Sequence, residues 1–515
     1  MESRARDLKS RDDLCMERLT GLATERQLFS VHSKKKEINC MSDVEFFEPL
    51  RSVLISKIPD CTNLLKLERL SGGASMETYR ITIDSEVGER YLCLRRGSGG
   101  VNRDTPSAVG LDTEAILMKV ARAQGVSEPE VFYVLTADDG IGVGFIMEWL
   151  DGETLGARIA RAPELGAIRG NLAFQCGREL AKIHAIDTEA TGLNSVLKTL
   201  SPVQYVNETW DRYRAWNTPQ PMIDYTAQWL LTNAPTVNRL CLVHNDFRNG
   251  NIMVDETKGL TAVLDWETAH IGDPMRDLGW ICTNSWRFGN RHLPVGGFGE
   301  YQDLFDGYES QSGHKVDPNH VKYWEVFGSF WWAVGCLGMA DHYRTGPDAT
   351  VERPAIARRS SECQVDCVNL LLEGPIDDVP TATHEVQYEM PTIEELLGSV
   401  RDFLHGDVMN ETTGRTSFLA RVAGNSLEIV LRDLRQGSKI RLHEHDLLVE
   451  LLDAAETDEL GDLRWQLVQK IRMAGIDLND VALCRYLRQS VVNQVSIDQP
   501  KYSGYKWAIG SRDLS

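Results

Sequence analysis

One segment constrains this chain more than any other. Cys241 to Gly279, CLVHNDFRNGNIMVDETKGLTAVLDWETAHIGDPMRDLG, packs His244, Asp246, Arg248, Asn251, Asp265, Asp273 and Asp277 into a short stretch. Ile252 to Asp255 and Leu260 to Leu264 are apolar runs joined by Glu-Thr-Lys-Gly, a turn signal for an antiparallel hairpin. The expected pairing sets Asp255 opposite Leu260 and Ile252 opposite Val263. Asn251 and Asp265 then lie side by side at the open end, with Asp246 in the loop just before it. An amide and a carboxylate, without Cys or supporting His, form a hard-oxygen donor set suited to Mg²⁺, which takes its other ligands from waters and nucleotide phosphates. Asp246 is left free for another role.

The spacing H-x-D-x-x-x-x-N from His244 to Asn251 matches the kinase catalytic loop, whose aspartate orients a substrate hydroxyl and accepts its proton. The whole segment resembles the catalytic motif of the aminoglycoside phosphotransferase and choline kinase superfamily, with LDWE at 264–267 standing where protein kinases carry their DFG triplet. The resemblance implies Asp246 as catalytic base and Asn251 with Asp265 on Mg²⁺. Arg248 falls where protein kinases carry a lysine on the transferring phosphoryl group, so a cationic catalytic role is expected. Asp277, in the family's GDPxxDL element, is expected to brace the catalytic loop, and His244 to be structural. Only the stretch 266–272 separates Asp265 from Asp273, too little for the long activation segment of protein kinases. A small-molecule acceptor is expected rather than a protein.

Upstream, Leu64 to Leu70, Met76 to Ile83 and Tyr91 to Leu94 read as short strands, and Asp112 to Gln124 as a helix. The turn Leu70 to Ser75 carries Gly72 and Gly73, which with Ser75 would let backbone amides approach nucleotide phosphates. By family order Arg95 stands at the strand lysine that meets the phosphates, and Glu114 in the helix that supplies its ion-pair partner. Arginine departs from the lysine of the antibiotic-resistance enzymes. Met147, Glu148 and Trp149 occupy the hinge whose backbone would read adenine. ATP and Mg²⁺ are thus the implied cofactors.

Along the chain, residues 1–43 form a charged leader expected to be weakly ordered, within which Met41 is a candidate native start. Residues 44–150 are the expected small β-rich lobe and 151–372 the mostly helical lobe. A Pro-, acid- and Thr-rich linker follows at 373–390, then a helical domain at 391–503. The fold class expected is α+β: a bilobal protein-kinase-like fold plus a C-terminal all-α bundle. Thr392 and Glu395 form a capping box. Ile393, Leu396, Leu397, Val400, Phe403 and Leu404 fall on one helical face, and similar stripes recur at Phe418 to Leu434, Leu447 to Leu452, Leu460 to Ile471 and Val481 to Val495. This tail resembles a bacterial helical domain of unknown function often attached to such kinases. Its His443-Glu444-His445-Asp446 reads as a solvated turn rather than a metal cluster.

Composition bounds the partners. A net charge of -20 argues against nucleic acid as the main partner. The eleven cysteines have no CxxC pair and read as reduced thiols of a cytoplasmic protein. The apolar run Val326 to Ala340 is too short to span a bilayer of ~30 Å and reads as a core helix, so no membrane partner is expected. The resemblance is closest to the kinase-like domains fused to acyl-CoA dehydrogenases. It implies phosphoryl transfer from ATP to a hydroxyl of a small molecule: an aminoglycoside-like compound, a hydroxyacyl compound or another metabolite alcohol. The competing reading is a catalytically silent nucleotide-binding regulatory module acting through its tail, through which an oligomer or partner protein would also be contacted.

Overall fold

The computed structural model describes residues 45–70, 76–101, 108–346, 349–379 and 390–510. The leader and the glycine turn holding Gly72, Gly73 and Ser75 lie outside the described residues, as does most of the linker. Helix α1 (Phe47–Lys57) precedes strands β1 (Cys61–Arg69), β2 (Met76–Ser85) and β3 (Gly88–Gly97). After α2 (Leu111–Ala123) come β4 (Val131–Val134) and β5 (Gly144–Glu148). The five strands form one antiparallel sheet in the order β1-β2-β3-β5-β4. In β2 the alternation of Tyr79, Ile81 and Ile83 with polar neighbours buries one face, the period-2 signature of a half-buried strand. That face meets α1 through Leu50 and Leu54, and with Leu67, Leu94 and Ile146 makes the lobe's core. The tight return to β3 pairs Ser85 with Gly88, whose φ of 104° is open to glycine at no steric cost.

The second lobe is mostly helical. It comprises α3 (Gly156–Arg161), α4 (Gly166–His184), α5 (Pro202–Ala215), α6 (Pro221–Thr232), α7 (Met275–Cys282), α8 (Tyr301–Ser312), α9 (Pro318–Thr345), α10 (Glu352–Arg358) and α11 (Ser360–Leu371). Two strand pairs interrupt it: β6 (Cys241–Val243) with β9 (His270–Gly272), and the hairpin β7 (Ile252–Asp255) with β8 (Gly259–Val263). The Val326 to Ala340 run lies inside α9, and no helix among the described residues is long and apolar enough to cross a membrane. Ile252 faces Val263 as expected, but Asp255 faces Gly259 rather than Leu260. The register shifts between Met253 and Val254, a bulge that absorbs one residue of β8. At the turn, Asp255 accepts from the Thr257 and Lys258 amides and Gly259 takes a φ of 79°, so the side chain sets the turn locally.

The tail is helical: α12 (Ile393–Phe403), α13 (Met409–Glu411), the long α14 (Arg415–Leu452), α15 (Leu460–Arg472), α16 (Val481–Asp498) and α17 (Ser503–Ile509). The capping box forms, with Thr392 Oγ1 accepting from the Glu395 amide and the Glu395 carboxylate from the Thr392 amide. The stripe on α12 does not form a closed core, since Ile393, Leu396, Val400 and Phe403 are all at least half exposed. Residues 443–446 are not a turn but the interior of α14, where buried Glu444 takes both guanidinium arms of Arg464 and the Tyr486 hydroxyl. Four hydrophilic residues in a row hid a helix stabilised from outside by a salt bridge. The later tail helices share the apolar core of the helical lobe, through Leu463, Leu467, Leu483 and Leu487.

Candidate active site

The catalytic-loop segment starts where β6, buried and paired with β9, ends at Val243. Asp277, on α7 and fully buried, receives the amides of His244 at 2.8 Å and Asn245 at 2.6 Å, and lies 3.0 Å from His184 Nε2. Burial alone would raise its pKa; His184, the His244 ring and the His244 amide outweigh burial and hold the carboxyl below its usual range. The loop is thereby fixed at its first two residues, with Asn245 at a φ of 68°, a left-handed conformation asparagine tolerates. His244 is buried; its ring contacts the Leu264 carbonyl through Nε2 and receives the Asp246 amide at Nδ1.

Asp246 projects from this loop with both oxygens engaged. Oδ1 accepts from Trp280 Nε1 at 2.8 Å and from Arg248 Nε at 2.9 Å; Oδ2 accepts from Asn251 Nδ2 at 2.6 Å and from an Arg248 terminal nitrogen at 3.1 Å. Trp280 sits one helical turn after Asp277 on α7, so one face of that helix holds both the loop backbone and the carboxylate. The Arg248 guanidinium stacks on the Trp286 ring at 4.3 Å. The neighbouring Asn249 amide donates to the carbonyls of Trp286 and Gly296.

Asn251 and Asp265 are brought side by side by the hairpin: the Leu264 amide donates to the Asn251 carbonyl at 2.8 Å. Asp265 adopts a φ of 69°, so the chain turns sharply out of the hairpin as it presents this carboxylate. Arg95, on β3, spans the lobes. It pairs with Glu114 of α2 at 3.1 Å and with Asp265 Oδ1 at 2.5 Å. Glu114 is pushed up to about 7 by burial, with Asp265 reinforcing and Arg95 opposing the shift. Glu267 is also raised to about 7, by burial first and then by Asp265. A carboxylate and a neighbouring amide oxygen amid this surplus of acid are hard-oxygen donors, so the residues fit a magnesium ion completed by phosphates and waters.

The hinge residues lie at the end of β5. Met147 pairs with Cys93 and Val131, the Glu148 amide donates to the Glu130 carbonyl, and Trp149 Nε1 donates to Asp151. The Glu148 N–H is therefore spent on β-sheet, and a nucleotide-reading backbone would begin at Trp149. Sequence reasoning missed Trp280, Trp286 and Glu267. The first was legible, because a helix starting at Asp273-Pro274 places residues 277 and 280 on one face. Trp286 had no local signal.

Comparison with known proteins bears on the family and the fold. The family model described as "Phosphotransferase enzyme family" matches residues 66–313, and one described as a domain of unknown function (DUF6285) matches 410–502. Acyl-CoA dehydrogenase family member 10 of Mus musculus is 31% identical over 229 residues, covering 43% of this chain and 20% of the relative. Family member 11 of Gallus gallus is 28% identical over 221 residues, covering 42% of this chain and 27% of the relative. The chain thus matches about a quarter or less of these relatives' length. A solved structure from Ralstonia eutropha, assigned as an aminoglycoside phosphotransferase, superposes with a TM-score of 0.51 at 20% identity. It covers 62% of this chain and 95% of its own, which shows a shared fold.

Proposed function

We propose, from the match of residues 66–313 to the phosphotransferase enzyme family model, that this chain is a small-molecule kinase transferring the γ-phosphoryl group of ATP to an alcohol, with Mg²⁺ as cofactor. The observation that carries the reading is Asp246, held by Trp280, Arg248 and Asn251 beside the Asn251–Asp265 pair. Asp246 orients the acceptor hydroxyl and takes its proton as the new oxygen–phosphorus bond forms. The bond to the bridging oxygen breaks, and ADP leaves with the electron pair. Four donor contacts fix the direction of this carboxylate, which suits a loose phosphoryl transition state that needs positioning more than proton abstraction.

Asn251 and Asp265 would hold Mg²⁺, which when bound neutralises charge on the phosphate oxygens. Arg248 is placed to exchange its contact with Asp246 for the transferring phosphoryl group, leaving the carboxylate free for the hydroxyl. Arg95, anchored by Glu114, reaches from the β-rich lobe (44–150) to Asp265 of the helical lobe (151–372), and Gly72, Gly73 and Ser75 would complete the phosphate cradle. The acceptor is a hydroxyacyl compound, an aminoglycoside-like compound or another metabolite alcohol. A cytoplasmic setting fits the free cysteines among the described residues.

The test is ADP release by the purified chain with Mg²⁺-ATP and pools of hydroxyacyl-CoAs, aminoglycosides and metabolite alcohols. Acceptor-dependent release that vanishes in Asp246→Ala supports the reading. ATP binding with no release in any pool would favour a silent nucleotide-binding module.

A further inference from the structure

The tail packs against the helical lobe two residues from Trp286. Tyr502, which caps α17, and Ser503 and Gly504, which open it, lie against buried Asn284 and Asp366 of the helical lobe. The Tyr502 hydroxyl donates to Asp366 Oδ2 at 2.6 Å, while Asn284 Nδ2 donates to Asp366 Oδ1 at 2.8 Å. Ser503 Oγ donates to Asn284 Oδ1 at 3.2 Å, and the Gly504 carbonyl accepts from Asn369 at 2.9 Å. A Cβ on Gly504 would lie 2.5 Å from Asp366 Oδ1, so the approach admits no side chain there. Asn284 is thus held on both ends of its amide, once by the lobe and once by the tail.

Asn284 opens the short 3₁₀ turn Asn284–Trp286, and its carbonyl receives the Arg287 amide. Two residues on, Trp286 carries the Arg248 guanidinium on its ring and receives the Asn249 side chain on its carbonyl. Its ring also meets Trp280, the indole donor to Asp246, at 5.1 Å between centroids. Contacts therefore run unbroken from the tail through Asn284 and Trp286 to Arg248 and Asp246.

We propose that the Tyr502–Gly504 segment of the tail is a positioning element for phosphoryl transfer, setting the Asn284–Trp286 turn and through it the shelf on which Arg248 rests. Tyr502 and Ser503 are its positioning residues. The inference rests on the kinase reading only for its catalytic consequence; the mechanical coupling stands without it. Displacing catalytic groups by a fraction of an ångström lowers turnover without weakening nucleotide binding.

The test uses the full chain carrying Tyr502→Phe with Ser503→Ala, beside Arg485→Leu, which breaks a remote contact of the tail with Asp377. Hydrogen–deuterium exchange is followed in peptides covering 244–251 and 283–288, and kcat and KM for Mg²⁺-ATP are measured with the acceptor pools. Expected are faster exchange in both peptides and a roughly tenfold lower kcat with KM for ATP within about twofold in the double variant only. Wild-type exchange at 244–251 in the double variant, or the same change in Arg485→Leu, would overturn the proposal. Absence of turnover in the wild type would sink the kinase reading, and the exchange result would still decide the brace.

Discussion

At Asp246, position is what the surroundings supply. A carboxylate receiving an indole, an amide and a guanidinium has its oxygens aimed with little freedom. Asp246→Asn should therefore lower kcat by about 10²–10⁴-fold while ATP affinity stays within a few-fold, measured by steady-state kinetics and by nucleotide titration. Unchanged turnover would remove Asp246 from the chemistry. Trp280→Phe keeps an aromatic ring, though a smaller one, and deletes the donor; a hydrogen bond to a charged group contributes roughly 1.5–3 kcal/mol, so kcat should fall about ten- to a hundredfold. The motif residues themselves were legible in sequence because their spacing reflects a hairpin and a loop, both local. Trp286 was not, since its role depends on packing against a residue far upstream, and periodicity carries no such information.

Among the elements, β9 carries a titratable group the chemistry does not use. His270 is buried against the Tyr205 ring, and burial holds its pKa down to about 4. A depressed histidine contributes stability that is complete above the unfolded value of about 6.5 and is lost as pH falls towards 4, at most about 3 kcal/mol. The thermal midpoint of the wild type should drop across that window, and that of His270→Gln should drop less; equal slopes would refute the assignment. The hairpin shows where sequence reading stops. The turn signal from Glu256 to Gly259 was visible, but the bulge at Met253 and Val254 was not, since nothing in two apolar runs reports a register shift. Likewise the hydrophilic 443–446 run was read as a turn because the Arg464 partner of Glu444 lies on another helix.

For the whole molecule, the tail helices do not stand apart from the catalytic lobes. Asp224, fully buried on α6, binds Arg472 of α15 at 2.7 Å and also receives Trp210 and Tyr213. Removing one partner of such a pair leaves a buried charge, so Arg472→Leu should lower stability by about 3 kcal/mol. The full chain should melt in one calorimetric transition, and the variant at a lower temperature; a separate tail transition would contradict a shared core. The bilobal architecture was legible from alternating strand and helix signals, whereas this docking was not. The central claim is transfer of a phosphoryl group to a small alcohol, and its most direct test follows the label from γ-labelled ATP with Mg²⁺ and the acceptor pools. The account predicts label in a low-molecular-weight phosphate ester, absent with Asp246→Asn; label appearing on protein, or remaining in ATP with every pool, would contradict it.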